Sequence, residues 1–216
     1  MKILELLGIT AGQRLSVDEE INKKAAENNL NRTAFGTAVI SKPRLLTTKE
    51  LLECYGKPGD PANLVTVDTP FPFKLDWAGG TVVNKITIHK KVAPRFIAFL
   101  NDLLAHYGLD RIKELGIDQF AGCFNFRPQR GLEKKYAAAM AAKNYALAYT
   151  YLSRHAWAAA FDLDADRNQL KWKKPKAQFS KPEYKLMFEL AYKNGFISYG
   201  IERDNDYMHI EIGVLL

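Results

Sequence analysis

The stretch DYMHIEIGV, residues 206–214, decides how this chain is read. From His209 onward side chains alternate across a pleated strand, so His209, Glu211 and Gly213 share one face and Ile210, Ile212 and Val214 the other. Such a strand sets an apolar back against a core and turns its polar front to a cleft. Working upstream, residues 183–193 form an amphipathic helix that stops at Asn194-Gly195, and a hairpin then leads into the strand, with Asp206 in the turn before it. Val82–His89 reads as a strand, with Ile86 and Ile88 on one face. In the segment after it, Phe96, Phe99, Leu100, Leu103 and Leu104 fall at helical spacing and the helix ends at Gly108. A short helical piece follows, then an apolar strand over 120–126, then an Ala-rich stretch over 136–151 that serves as helix or lid. Strands from both ends with helices between them predict an α+β class, a small antiparallel sheet flanked by helices. Thr47 or Thr48 opens a short helix closed by Gly56, and Pro58, Gly59, Pro61, Pro70 and Pro72 predict turns that interrupt regular structure. The main domain is placed at 48–216. Residues 1–47 form a partly helical N-terminal extension without a legible role, where Ser16 and Glu19 fit a capping box for a helix over 17–28.

The 216 residues, 47% of them hydrophobic, suit one domain with a real core plus an extension. No apolar run approaches the roughly 20 residues of a membrane-spanning helix. The N-terminal MKILELLGITAGQRLS has an early Glu5 and no A-x-A site, which makes it a poor secretory signal. Synthesis in the cytoplasm is therefore expected, with action elsewhere only after release. Cys54 and Cys123 form no close pair and are expected as free buried thiols. The net charge of +7 concentrates in residues 167–185, where Arg167, Lys171, Lys173, Lys174, Lys176, Lys181 and Lys185 face Glu183 alone. That segment is either a solvated loop or a surface for a polyanion such as an anionic cell-envelope polymer. Trp172 and Phe179 lie among the lysines, but without a nucleic-acid-binding signature no nucleic acid is expected. A monomer is expected.

Two strings carry chemistry: SRHAWAAAFD, residues 153–162, and DYMHIE, residues 206–211. His155, Asp162 and His209 give two imidazoles and a carboxylate, a set that holds zinc and leaves a position open for water. Asp206 stands three residues before His209, within reach of that water. A straight strand would hold His155 and Asp162 roughly 23 Å apart. The chain must therefore turn near 156–158 and run as a strand over 160–163. A third string, GCFNFRPQRG at 122–131, adds Arg127 and Arg130. His89 and His106 are read as structural, Asp164 and Asp166 as solvent-facing, and Glu211 as an alternative base ranked behind Asp206.

These strings resemble the zinc peptidases of bacterial cell walls: D-alanyl-D-alanine carboxypeptidases, D,D-dipeptidases and phage L-alanyl-D-glutamate endolysins. The likeness spans roughly residues 48–213. It implies the Hedgehog and D,D-peptidase type of α+β fold and one Zn2+ per chain on His155, Asp162 and His209. It implies Asp206 as general base and Arg127 as the guanidinium that holds a substrate carboxylate or the developing oxyanion. Ser153 matches a supporting serine two residues before the first ligand, and Arg130 is the lesser candidate for substrate contact. The implied substrate is a peptidoglycan stem peptide. Without a signal peptide, a phage or prophage lysis enzyme cutting the L-Ala-D-Glu bond is favoured over a D-Ala-D-Ala carboxypeptidase. A wall-binding or virion structural protein without turnover is the alternative of another class. The chain departs from the pattern twice. Ala158 replaces a usual Gly, a strain if the position needs positive φ, and Ile201 stands where Trp is common on the groove floor.

Overall fold

The computed structural model describes residues 43–214, and the helix expected over 17–28 lies outside them. The architecture is α+β. The strands are β1 (Arg44–Leu45), β2 (Leu64–Leu75), β3 (Val82–His89), β4 (Gln119–Gly122), β5 (Ala160–Leu163), β6 (Phe196–Ser198) and β7 (His209–Val214). They make one seven-stranded sheet in the order β1-β7-β5-β4-β2-β3, with β6 on β7. Every pairing is antiparallel except β2 with β4. The sheet takes in Arg44 and Leu45, ahead of the boundary expected at 48, because β1 pairs with β7.

Helix α1 (Thr48–Tyr55) begins where expected, and a capping box holds its start. The Thr47 hydroxyl accepts from the Glu50 amide and the Glu50 carboxylate accepts from the Thr47 amide. Helix α2 (Ala93–Leu115) lies on the sheet with Phe96, Phe99, Leu100 and Leu103 fully buried. Its Phe96 ring centroid is 5.0 Å from Phe161 of β5, which in turn lies 5.3 Å from Phe196 of β6. Alternation along β5 therefore aims Phe161 and Leu163 at this aromatic core and leaves Asp162 on the opposite face. At Gly108 the backbone leaves the helical region (φ 69, ψ 161), so the helix expected to end there and the short piece after it are two arms about one bend.

Three expectations are corrected. The strand expected over 120–126 stops at Gly122, because beyond it the backbone groups of Cys123, Asn125 and Arg127 bond to residues 153–155 instead of a neighbouring strand. The turns expected in the proline-rich stretch occur at Pro58-Gly59 and at the 3-10 turn Pro61–Asn63 but not beyond: β2 runs through Pro70 and Pro72, and the register with β3 slips between Asp68 and Phe73. Such a slip is where residues without an N–H are tolerated. Residues 136–151 are neither one helix nor a strip of loop but part of α3 (Glu133–Ala141) and α4 (Tyr145–Thr150), divided at Lys143, whose φ is 55. The helix expected over 183–193 starts as a 3-10 turn and becomes α5 (Lys185–Lys193). The hairpin after it is β6 and β7, joined through the short helix α6 (Tyr199–Arg203).

Candidate metal centre

Residues Arg154–Trp157 form a 3-10 turn capped by Ser153, whose hydroxyl accepts from the His155 amide at 3.4 Å. Ala158 ends the turn at φ 50, the left-handed conformation anticipated from the usual glycine. The turn returns the chain into β5 over the residues expected. Directly across from Asp162 in the β5–β7 register stands His209. The loop after β4 pins the turn from the side: the Arg127 carbonyl accepts from Ser153 N, and Asn125 N donates to the His155 carbonyl.

Hydrogen bonds fix the ring orientations. His155 Nδ1 lies 2.7 Å from the Cys123 carbonyl, an acceptor only, so Nδ1 carries the proton and Nε2 presents a lone pair. His209 Nε2 lies 3.1 Å from a Glu211 carboxylate oxygen and acts as the donor there, leaving Nδ1 inward. Separations are 3.2 Å from His155 Nε2 to His209 Nδ1, 3.2 Å from His155 Nε2 to Asp162 Oδ1, and 2.9 Å from His209 Nδ1 to Asp162 Oδ1. Three atoms able to bind a metal thus converge on one point, where either a shared proton or a cation can sit. Tetrahedral zinc with bonds of about 2.0–2.1 Å sets its donor atoms about 3.3 Å apart, so the triangle is of the right size. The buried trio His155, Asp162 and His209 can hold a metal ion.

The titration of these groups tells the same story. Burial opposes a charge on Asp162, but the two imidazoles outweigh it and hold its carboxyl far below the usual range. Burial also opposes a charged His209, yet Asp162 and Glu211 at its two nitrogens lift the ring to about 10. A proton fills the place a cation would take.

Asp206 sits in the turn before β7 at φ 53, with its amide donating to the Leu170 carbonyl. Its Oδ1 is buried and has no hydrogen-bond partner. Burial raises this carboxyl to about 6, with Asp162 adding to the rise and His209, His155 and Arg130 opposing it. A carboxylate in this condition is a proton acceptor awaiting a donor.

All seven residues singled out in the sequence, Arg127, Arg130, Ser153, His155, Asp162, Asp206 and His209, line one cavity of about 250 Å3. The same walls include Glu211, read as the alternative base, and Arg154, Tyr199 and Arg203, which were not assigned there. One Glu211 carboxylate oxygen lies against His209 Nε2 at 3.1 Å. The other oxygen is 3.7 Å from Arg154 Nε, and Arg154 in turn donates to the Leu46 carbonyl at 2.8 Å. Period-two alternation carried this signal, since it puts Glu211 beside His209. Tyr199, with its ring 4.8 Å from that of His209, lines the cavity where Ile201 was considered; Ile201 is exposed. The Arg127 guanidinium donates to the Pro128 carbonyl at 3.2 Å, and it is Arg130 whose field reaches Asp206.

Two further cavities share walls with this one: about 740 Å3 shares Arg130, Leu170 and Met208 and is also lined by Trp172, and about 310 Å3 shares Arg127, Arg130, His155 and Asp162 and is also lined by Trp77 and Phe124.

Other expectations fall on both sides. His89 is structural: its Nε2 donates to the Tyr55 carbonyl and its Nδ1 accepts from Lys91 N. Asp164 is not solvent-facing but buried, where its carboxylate holds Arg167 at 2.7 Å and Asn168, while Asp166 is exposed as expected. Cys123 is a buried free thiol, but Cys54 is exposed because the face of α1 that carries it turns to solvent. In the basic segment Arg167 is tied to Asp164 and Lys185 to Glu189. Among the described residues no helix is long and apolar enough to cross a membrane. No family model matches the chain, and comparison with curated proteins and with solved structures gives no match either.

Proposed function

We propose that this chain is a zinc-dependent peptidase that cuts peptidoglycan stem peptides, of the L-alanyl-D-glutamate endopeptidase type expected of a phage or prophage endolysin. One observation carries the reading: three side-chain atoms able to bind a metal meet within 2.9–3.2 Å in the cavity that holds the unpartnered Asp206 Oδ1. His155 Nε2, Asp162 Oδ1 and His209 Nδ1 would hold the ion. Zinc bound there supplies Lewis acidity, which polarises a carbonyl and brings the pKa of water towards neutrality. Asp206 takes the proton from the attacking water and returns it to the leaving amine. Arg127 and Arg130 orient a substrate carboxylate and balance the negative charge that grows on the carbonyl oxygen. Glu211 and the Cys123 carbonyl keep the two imidazoles in the required tautomers.

The further space lined by His155 and Asp162, and the neighbouring cavity that shares Arg130, Leu170 and Met208 with the site, leave room for a substrate longer than a terminal residue, which favours cleavage within a chain. Purified protein incubated with wall sacculi is expected to release new D-Glu amino termini, read by mass spectrometry, and to stop when a chelator is added. Release of free D-Ala instead assigns a D,D-carboxypeptidase, and wall binding without any release refutes the peptidase.

A further inference from the structure

Trp77 is 62% exposed, the largest exposure among the large hydrophobic side chains of the described residues. It stands in the turn between β2 and β3, which closes without it. The turn's hydrogen bonds join the backbones of Leu75, Ala78 and Thr81, and Gly79 and Gly80 supply the positive φ values. The indole has one aromatic neighbour, Phe120, at a centroid distance of 6.5 Å, and its edge lies over Gly122. A lone exposed indole is ordinary, so its place in the fold is what distinguishes this one. Here it borders the 310 Å3 cavity that ends at His155 and Asp162. Phe124, 40% exposed, lines the same cavity, together with the amide of Asn125 and the guanidinium of Arg127.

We propose that Trp77, Phe124, Asn125 and Arg127 form a subsite for a pyranose ring of the polysaccharide that carries the peptide, one unit away from the reacting bond. A pyranose has an apolar C–H face and a rim of hydroxyl and acyl oxygens, so it asks for a flat aromatic surface beside fixed donors and acceptors. An apolar side chain would be better served by an enclosed pocket than by an open indole flanked by charge. A bare anion gains nothing from the two aromatic rings. The placement beside the trio rests on the peptidase reading, but the affinity for sugar does not.

The test titrates the full-length protein with a peptide-free trimer of β-1,4-linked N-acetylglucosamine and follows tryptophan fluorescence. Trp157 is buried with its Nε1 on the Gly56 carbonyl and will not report, which leaves Trp77 and Trp172 as the responsive rings. Saturable quenching is expected; because Trp77→Ala removes the reporting ring, the variants are compared by calorimetric titration, with the affinity weakened at least about tenfold in Trp77→Ala, a loss of about 1.4 kcal/mol, and retained in Trp172→Ala. Because Trp77 is so exposed, its truncation leaves the fold intact, which the melting temperature of the variant checks. Asn125→Ala is expected to weaken binding with the Trp77 signal still present. No saturable signal at millimolar sugar, or equal binding by Trp77→Ala, overturns the subsite. Trp77-dependent binding to anionic lipid vesicles in place of sugar overturns it in favour of a membrane surface. Sugar binding without stem-peptide hydrolysis sinks the peptidase and keeps the subsite; hydrolysis without sugar binding does the reverse.

Discussion

Asp206 is the residue whose environment and role conflict most sharply. A buried carboxylate oxygen with no partner destabilises the fold, and the rise of its pKa to about 6 measures that strain. The unfolded carboxyl titrates near 3.9, so between there and about 6 the folded state keeps a proton that the unfolded state has lost. Stability contributed by protonation is whole below that window and gone above it. Asp206→Asn is therefore expected to stabilise the metal-free protein by about 1–3 kcal/mol at pH 7.5 and hardly at all at pH 3.5, read from thermal unfolding. The same variant should keep one zinc per chain and lose hydrolysis by about 10²–10⁴-fold. In the unaltered protein, activity should fall as pH drops through about 6 or lower, since a cation draws this pKa down. Ala158 presents a second local conflict, now with two terms of similar size. Relief of a left-handed L-residue is worth about 1–2 kcal/mol, whereas loss of a buried methyl and the added freedom of glycine cost about as much together. Ala158→Gly should shift stability by less than about 1 kcal/mol, while Ala158→Val, β-branched in a fully packed site, should lose more than about 2 kcal/mol in denaturant titration.

At the scale of elements, β7 does two jobs because of its alternation. Ile210 and Ile212 are sealed in the core, and His209 and Glu211 face the cavity. Glu211→Gln keeps an acceptor for His209 but removes a charge, so zinc affinity measured by chelator competition should fall about 10–100-fold with the fold unaltered. The bend in α2 rests on Gly108 at φ 69 and ψ 161, a region nearly closed to other residues. Gly108→Ala should lower stability by about 1–3 kcal/mol and the melting temperature by several degrees. These elements also divide what the sequence disclosed from what it hid. Periodicity was enough for β3 and β7 and the bounding residues Thr47 and Gly56 for α1, because each follows a local rule, while β5 followed from the demand that His155 and Asp162 meet. The end of β4 and the course of β2 through Pro70 and Pro72 were not legible, because distant partners decide them: the 153–155 turn in one case and the β3 register in the other. The site divides likewise. Its ligands stand in recognisable strings, whereas the Cys123 carbonyl and Arg154 act through contacts across the fold that no spacing announces.

For the whole molecule, an ion that binds only the folded chain stabilises it by mass action. With free zinc at about a thousandfold over its dissociation constant the gain is about 4 kcal/mol, or about 10 °C in melting temperature for a chain of this size. Chelation should remove that increment, and unchanged melting in calorimetry would exclude a bound ion. Asp162 and His209 face each other across the β5–β7 pair, 47 residues apart in sequence. The turn that leads into β5, together with β5 itself, already supplies two of the three groups, His155 and Asp162, 3.2 Å apart, whereas His209 arrives only with β7. A three-point grip on an ion would therefore wait until that non-local pairing has formed, and until then a nascent chain would offer a metal no more than two groups. Chains made during scarcity would accumulate as assembled but inactive apoprotein, ready to be switched on together when the ion arrives.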